Sequence, residues 1–289
     1  AYRVKYEVTI PGSGKAYPQC GEVFKILTCR CGFKQPIKNS CDRPECPTCW
    51  RGWAADEVSR CVERIFGFKD AYKRVKGRRL GNPQNIILSP PQEWAKNLLS
   101  EEDGFAKLKK KAIELLKRFG IYGGLLIYHH YRVLDVYKPQ LRVLSRKEHK
   151  DFWDLIREDA LGLGDWRCYV YVSPHFHIEG YGKKVFGEAV YKQTGWIFKF
   201  KRHISTQEEL SKTIFYLLSH TAIEKGKRAE TWFGSLSYNK LGKTRVSVDY
   251  EPVLCPDCGL ELEIEYVLTG RREAAISKII RYEYWIRVK

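Results

Sequence analysis

The apolar positions of this chain follow two periods, one for strands and one for helices. The first ten residues, AYRVKYEVTI, alternate apolar and polar and predict a strand. From there to residue 60, Pro, Gly and Cys take the place of long periodic segments. Ile86, Ile87 and Leu88 form a short apolar run that Ser89-Pro90-Pro91 stops, which predicts a buried strand. Residues 92–119 carry a helical pattern broken near Gly104. Strands are predicted over Leu125–Tyr131, Cys168–Val172, His175–Ile178 (ended by Gly180) and Trp196–Phe200. Residues 147–160 predict a helix with Trp153 and Ile156 on one face. Residues 206–224 predict another, with Ser205 and Glu208 as a capping box at its start. Strands interrupted by helices of uneven length predict an α+β fold. Three regions follow: a cysteine-rich module over 1–60, an α+β domain over 80–245, and a C-terminal segment over 246–289.

Charge narrows the partner. The 289 residues carry a formal net charge of +17, together with 18 Tyr and 8 Trp. Such a surplus calls for a polyanion, and the aromatic side chains offer faces for bases, so nucleic acid is the expected partner. No apolar run reaches the ~18 residues of a membrane span, and the first residues do not read as a signal peptide. A cytoplasmic protein without membrane contact is expected. The basic run Lys69–Arg79 is expected to bind phosphates, with Lys76, Arg78 and Arg79 as its contacts.

The ten cysteines are clustered. Cys41, Cys46 and Cys49 have the spacing of zinc ligands, and a fourth thiolate is expected from Cys29 or Cys31. Cys255 and Cys258 form a second knuckle. If it completes a site, Cys20 and whichever of Cys29 and Cys31 is left over should join it, which would staple the two chain ends together. One or two structural zinc ions are expected, since four thiolates leave no open position for catalysis.

The reactive constellation lies between these modules. In Ser173-Pro174-His175-Phe176-His177-Ile178, strand alternation points His175 and His177 to one side. Tyr216 and His220 are four residues apart on a helix and therefore neighbours. Two strand histidines and His220 could hold one divalent cation, Mn or Mg. Tyr216 would attack a phosphate beside it, and Lys212, one turn earlier, could lower the tyrosine pKa or bind a phosphate oxygen.

PHFHIEGYG followed by YLLSHTAI resembles the rolling-circle replication initiators of archaeal plasmids and viruses, within the HUH endonuclease superfamily. NIILSPP is similar to that group's first strand motif, IYHHYR to a further strand motif, and CDRPECPTC to the cysteine cluster preceding the nicking domain. The resemblance implies an antiparallel sheet flanked by helices, with the histidines on a central strand. It implies nicking of one strand of single-stranded or melted origin DNA, a 5′-phosphotyrosine intermediate, a free 3′-OH, and later rejoining. His175 and His177 become metal ligands and Tyr216 the nucleophile. The third ligand is His220, with His129 or His130 as competitor and Glu179 behind them. No GxxxxGK[ST] motif is present, so a host helicase and polymerase would be needed. A transposase or relaxase of the same superfamily, or a non-catalytic zinc-containing DNA-binding regulator, is the alternative.

Overall fold

Side-chain alternation along three adjacent strands sorts the middle of the chain into a sheet with two covered faces. The computed structural model describes residues 8–224 and 228–287. In chain order the elements are β1 (Val8–Thr9), β2 (Val23–Thr28), β3 (Lys34–Lys38), α1 (Trp50–Lys76), β4 (Gln84–Ser89), α2 (Gln92–Leu99), α3 (Gly104–Arg118) and β5 (Ile121–Val133). There follow α4 (Lys138–Glu148), α5 (Phe152–Arg157), β6 (Val170–Gly182), α6 (Gly187–Thr194), β7 (Ile197–His203), α7 (Gln207–Leu218) and β8 (Ile223–Glu224). The chain closes with β9 (Glu230–Gly234), β10 (Leu241–Pro252), β11 (Glu263–Tyr266), β12 (Arg272–Ala274) and β13 (Ile276–Ile286). The fold is α+β, as expected.

The central sheet is antiparallel in the order β7-β4-β6-β5-β9. Ile86, Leu88, Leu126, Tyr128, Phe176 and Ile178 pack one face against α2 and α3. Leu125, Ile127 and Tyr181 pack the other against α1 and α7. Strand β6, in the middle, runs unbroken where two strands were expected. It tolerates Pro174 because one extra residue is accommodated between the pairs His129–His175 and Tyr131–Val172. A bulge needs no ladder N–H at that position, which suits proline.

The sequence reading missed α1. Its buried stripe, Trp50, Ala54, Val58, Cys61, Val62, Ile65, Phe68 and Ala71, has helical spacing. It starts inside the segment read as cysteine module and absorbs most of the basic run. Each large apolar side chain buried there contributes about 1.5–3 kcal/mol. Gly77, in the left-handed region at φ 65°, ends the helix. The break near Gly104 is confirmed, and its cause is steric. A Cβ there would stand 1.9 Å from the Leu98 carbonyl oxygen, so only glycine lets α3 start against the end of α2.

Two predicted helices are shorter than expected. In place of one helix over 147–160, α4 stops at Glu148, His149 turns left-handed, and Asp151 caps α5 by accepting the N–H groups of Trp153 and Asp154, each at 2.8 Å. Helix α7 ends at Leu218 rather than 224. Thr221 and Ala222 leave it to bond the Tyr128 carbonyl, and Ile223–Glu224 then pair with β1. Its cap is Thr206, one residue later than expected, accepting from the Glu209 N–H.

The two terminal regions pair with each other. Strands β2 and β3 join β11 and β12 in one four-stranded sheet, order β12-β11-β2-β3. The β10–β13 ribbon packs on α1, where a Cβ at Gly67 would lie 2.2 Å from the Tyr284 ring. Among the described residues no helix is long and apolar enough to cross a membrane.

Candidate metal and nucleophile site

Register brings the histidines together. His129 on β5 pairs directly with His175 on β6, so both point to the α1/α7 face, as does His177. The ring nitrogens of His129, His175 and His177 converge to within 4.8 Å of one another. Ring centroids are 4.5 Å apart for His129–His177 and 5.2 Å for His129–His175. The expected third member, His220, is not in this set. It lies one ring further out, its centroid 4.2 Å from His129, stacked face-on against Trp153 at 4.8 Å. His130, the other competitor, points to the opposite face. Its Nδ1 meets the Tyr128 hydroxyl at 2.6 Å, and burial pushes its pKa down to about 4. Glu179 shares the histidines' face but is held by Asn85, whose side-chain N–H donates to it at 2.7 Å. Burial raises its pKa well above the carboxylate range.

The donor set fits a divalent cation. His129 is fully buried, and among the described residues neither of its ring nitrogens makes a hydrogen bond of good geometry. A buried imidazole with both nitrogens idle is costly unless something else binds it. His175 donates Nδ1–H to the Ser173 carbonyl at 2.7 Å, which leaves Nε2 with its lone pair free to ligate. Gln92 bonds both the Ser173 hydroxyl and the Pro174 carbonyl and so holds that backbone in place. Burial, and then the neighbouring imidazoles, depress the pKa values of His129 and His177 well below normal. All three rings are therefore neutral and ligand-ready at pH 7.

Around the triad stand cations the sequence reading did not single out. Arg132 acts on His175 and His177, and Lys201 on His177. Arg132 lies in the IYHHYR segment noted above, whereas Lys201 lies one residue beyond the strand predicted over Trp196–Phe200, at the register shift between β4 and β7. Arg157 donates to the Ser219 carbonyl at 2.7 Å and to Asp154 at 2.7 Å, and lies 4.1 Å over Trp50. It clamps the end of α7 just where Tyr216 and His220 project.

Tyr216 is half exposed, and its ring lies 4.7 Å from that of His220. It borders an open groove with Val58, Ser59, Asp151 and Phe215. Burial of part of the ring, and then the Asp151 carboxylate, raise the phenol pKa. Lys212 borders the same groove as Tyr216. Its ammonium pairs with Glu208 at 2.6 Å on the solvent side of α7.

The cysteines form two sets of four, partitioned differently from the expectation. Cys20 joins Cys41, Cys46 and Cys49, while Cys29 and Cys31 together join Cys255 and Cys258. The β2–β11 pairing explains this, because it sets the turn after β2 against the C-terminal knuckle. The cysteines of the two terminal regions do come together. Cys29–Cys258 and Cys31–Cys255 sulfurs are 3.5 and 3.6 Å apart. Thiolates at about 2.3 Å from one tetrahedral zinc would be separated by about 3.8 Å, so both sets can hold structural zinc. The Cys31 backbone N–H stabilises the Cys29 thiolate and pushes its pKa down to about 7.

Of the basic run, Lys69 bonds Asn82, and Arg74 bonds the Tyr284 carbonyl and Glu283. Lys76, Arg78 and Arg79 are exposed. No family model, curated protein or solved structure matches the chain.

Proposed function

We propose that this protein nicks and rejoins single-stranded DNA through Tyr216, at a divalent-cation site made by His129, His175 and His177, in the manner of the HUH endonucleases it resembles. The observation that carries the reading is the convergence of three neutral imidazoles, one with both nitrogens idle, one ring away from a half-exposed tyrosine. The net charge of +17 supports a nucleic-acid partner.

A tyrosine hydroxyl is a poor nucleophile at neutral pH, and its raised pKa makes Tyr216 more so. When bound, a divalent cation such as Mn or Mg supplies the polarisation of the phosphate that offsets this. Arg132 and Lys201 add positive charge where the phosphate would sit. His220, packed between Tyr216 and His129, fixes the tyrosine's distance from the cluster. In the reaction the phenol oxygen of Tyr216 forms a bond to phosphorus, the P–O3′ bond breaks, and the proton lost by the phenol is balanced by one gained at the 3′ oxygen. The product is a 5′-phosphotyrosine and a free 3′-OH. The ester retains the bond energy, so attack by a 3′-OH reverses the step without ATP. A replication origin is the substrate suggested by the resemblance.

The test uses a randomised single-stranded DNA pool labelled at its 3′ ends, incubated with Mn and run on a denaturing gel. Label should migrate with the protein, and Tyr216→Phe should abolish it. No protein-linked label from any pool, with zinc content and fold intact, would contradict the proposal.

A further inference from the structure

Helix α1 separates two grooves. Ala55, Val58 and Ser59 on one flank border the groove of Tyr216. Glu57, Cys61 and Arg64, on the other flank at helical spacing, border a second and larger groove of about 710 Å³, closed by the edge strand β9 and by the start of β10. That lies within the roughly 300–1,000 Å³ of a ligand pocket.

Its lining has an unusual chemistry. Arg64 is only 5% exposed, yet among the described residues it has no acid partner. Its Nε–H and one Nη2–H go to the carbonyls of Leu236 and Leu241, at 2.8 and 3.0 Å. Among the described residues Nη1 has no hydrogen-bond partner. The guanidinium lies 4.5 Å from the Tyr238 ring centroid and 5.3 Å from that of Trp232. Lys243 sits 3.5 Å over the Tyr282 ring nearby. Tyr238 is 53% exposed, and Arg228 donates to its hydroxyl at 2.9 Å, which orients the ring. A buried, fixed cation with spare donors beside an exposed aromatic face suits a ligand that is anionic and flat at once. Duplex DNA hides its base faces in the stack, whereas a single strand presents them.

We infer that the groove between α1, β9 and β10 is a second nucleic-acid site, in which a base of single-stranded DNA stacks on Tyr238 beside Trp232 while its phosphates meet Arg64 and Lys243. The inference takes from the proposed function only that single-stranded DNA is the partner. It places a strand across α1, with one end at Tyr216 and the other in this groove.

Binding without cleavage tests it. Fluorescence anisotropy of the full chain, in buffer with neither chelator nor added divalent metal, compares an oligothymidine with an abasic oligonucleotide of equal length and charge. Wild type should bind the base-bearing strand about tenfold more tightly, as expected for one stacked base. In Tyr238→Ala that gap should close. Photocrosslinking of 5-iodouracil oligonucleotide to the wild type should label the peptide containing Trp232 or Tyr238. Equal affinity for the two strands, or crosslinks confined to other peptides, would overturn the inference. Neither measurement requires a nick, so a missing covalent adduct would leave this site standing. An adduct on Tyr216 together with base-indifferent binding would remove this site and keep the proposed function.

Discussion

The cysteine clusters and the histidine cluster both gather donors around one point, but they differ in number and in neighbourhood. Each cysteine set has four thiols and sits where chain segments must be tied together. The histidine set has three imidazoles on two adjacent strands of a sheet that is already held by its own core. Four donors close a tetrahedral site and leave a metal only a structural role, whereas three leave a position for a substrate oxygen. The fold should therefore depend on the first kind of site and the chemistry on the second.

The largest expected effect is at the cysteines. Structural zinc can supply about 10 kcal/mol or more of folding free energy. Cys46→Ser, at a fully buried position, should give unfolded or aggregated protein with reduced zinc by elemental analysis. His177→Ala should stay folded with full zinc. If the two variants exchanged these behaviours, the contrast between closed and open sites would be wrong.

The next effect separates the histidines from one another. His129→Ala should reduce adduct formation by about a hundredfold or more, the size of several kcal/mol of lost charge stabilisation. It should also abolish any rise in melting temperature on adding Mn. His130→Ala, on the far face of the sheet, should keep both. Equal loss in the two variants would point to a general packing defect.

That distinction was not legible in the sequence. Alternation placed His175 and His177 together, and Tyr216 beside His220, because those relations are local. The choice of His129 depends on a long-range register, in which β5 lies against β6 with an extra residue at Pro174. Spacing located the zinc ligands but not their partition, which the β2–β11 pairing decides. The strands near residues 86, 125, 175 and 197 were legible from apolar runs and their stops. Helix α1 was not, since Gly52 and Gly67 interrupt its pattern and Cys49 at its start makes no side-chain cap. The end of α7 was overextended because the turn at Thr221 is set by the Tyr128 carbonyl, 93 residues away in sequence.

A third buried group sharpens the comparison by having no metal chemistry to satisfy it. Burial, and then Glu57, raise the Glu230 pKa from 4.5 to about 7. The native state binds this proton more tightly than the unfolded chain does. Stability is therefore lost as pH rises from about 4.5, and the loss is complete above about 7. Glu230→Gln lacks this titration. In urea denaturation its stability relative to wild type should improve by about 2–3 kcal/mol between pH 4 and pH 8. A difference that stays flat with pH would mean that Glu230 is solvated.

The smallest effect concerns the exposed basic residues. Replacing Arg78 and Arg79 should make the slope of log K against log salt shallower by about 1.4 for single strands, at roughly 0.7 per phosphate contact. Sequence preference should not change. An unaltered slope would place the phosphate contacts elsewhere, with Arg132 and Lys201 the next to test.

The central claim is that Tyr216 forms the covalent bond to DNA, and mass spectrometry of the nuclease-trimmed adduct tests it most directly. The account predicts a nucleotide on the peptide containing Tyr216 and no adduct from Tyr216→Phe. A nucleotide on Tyr181, Tyr191, Tyr238 or any other tyrosine, or normal nicking by the Phe variant, would contradict it.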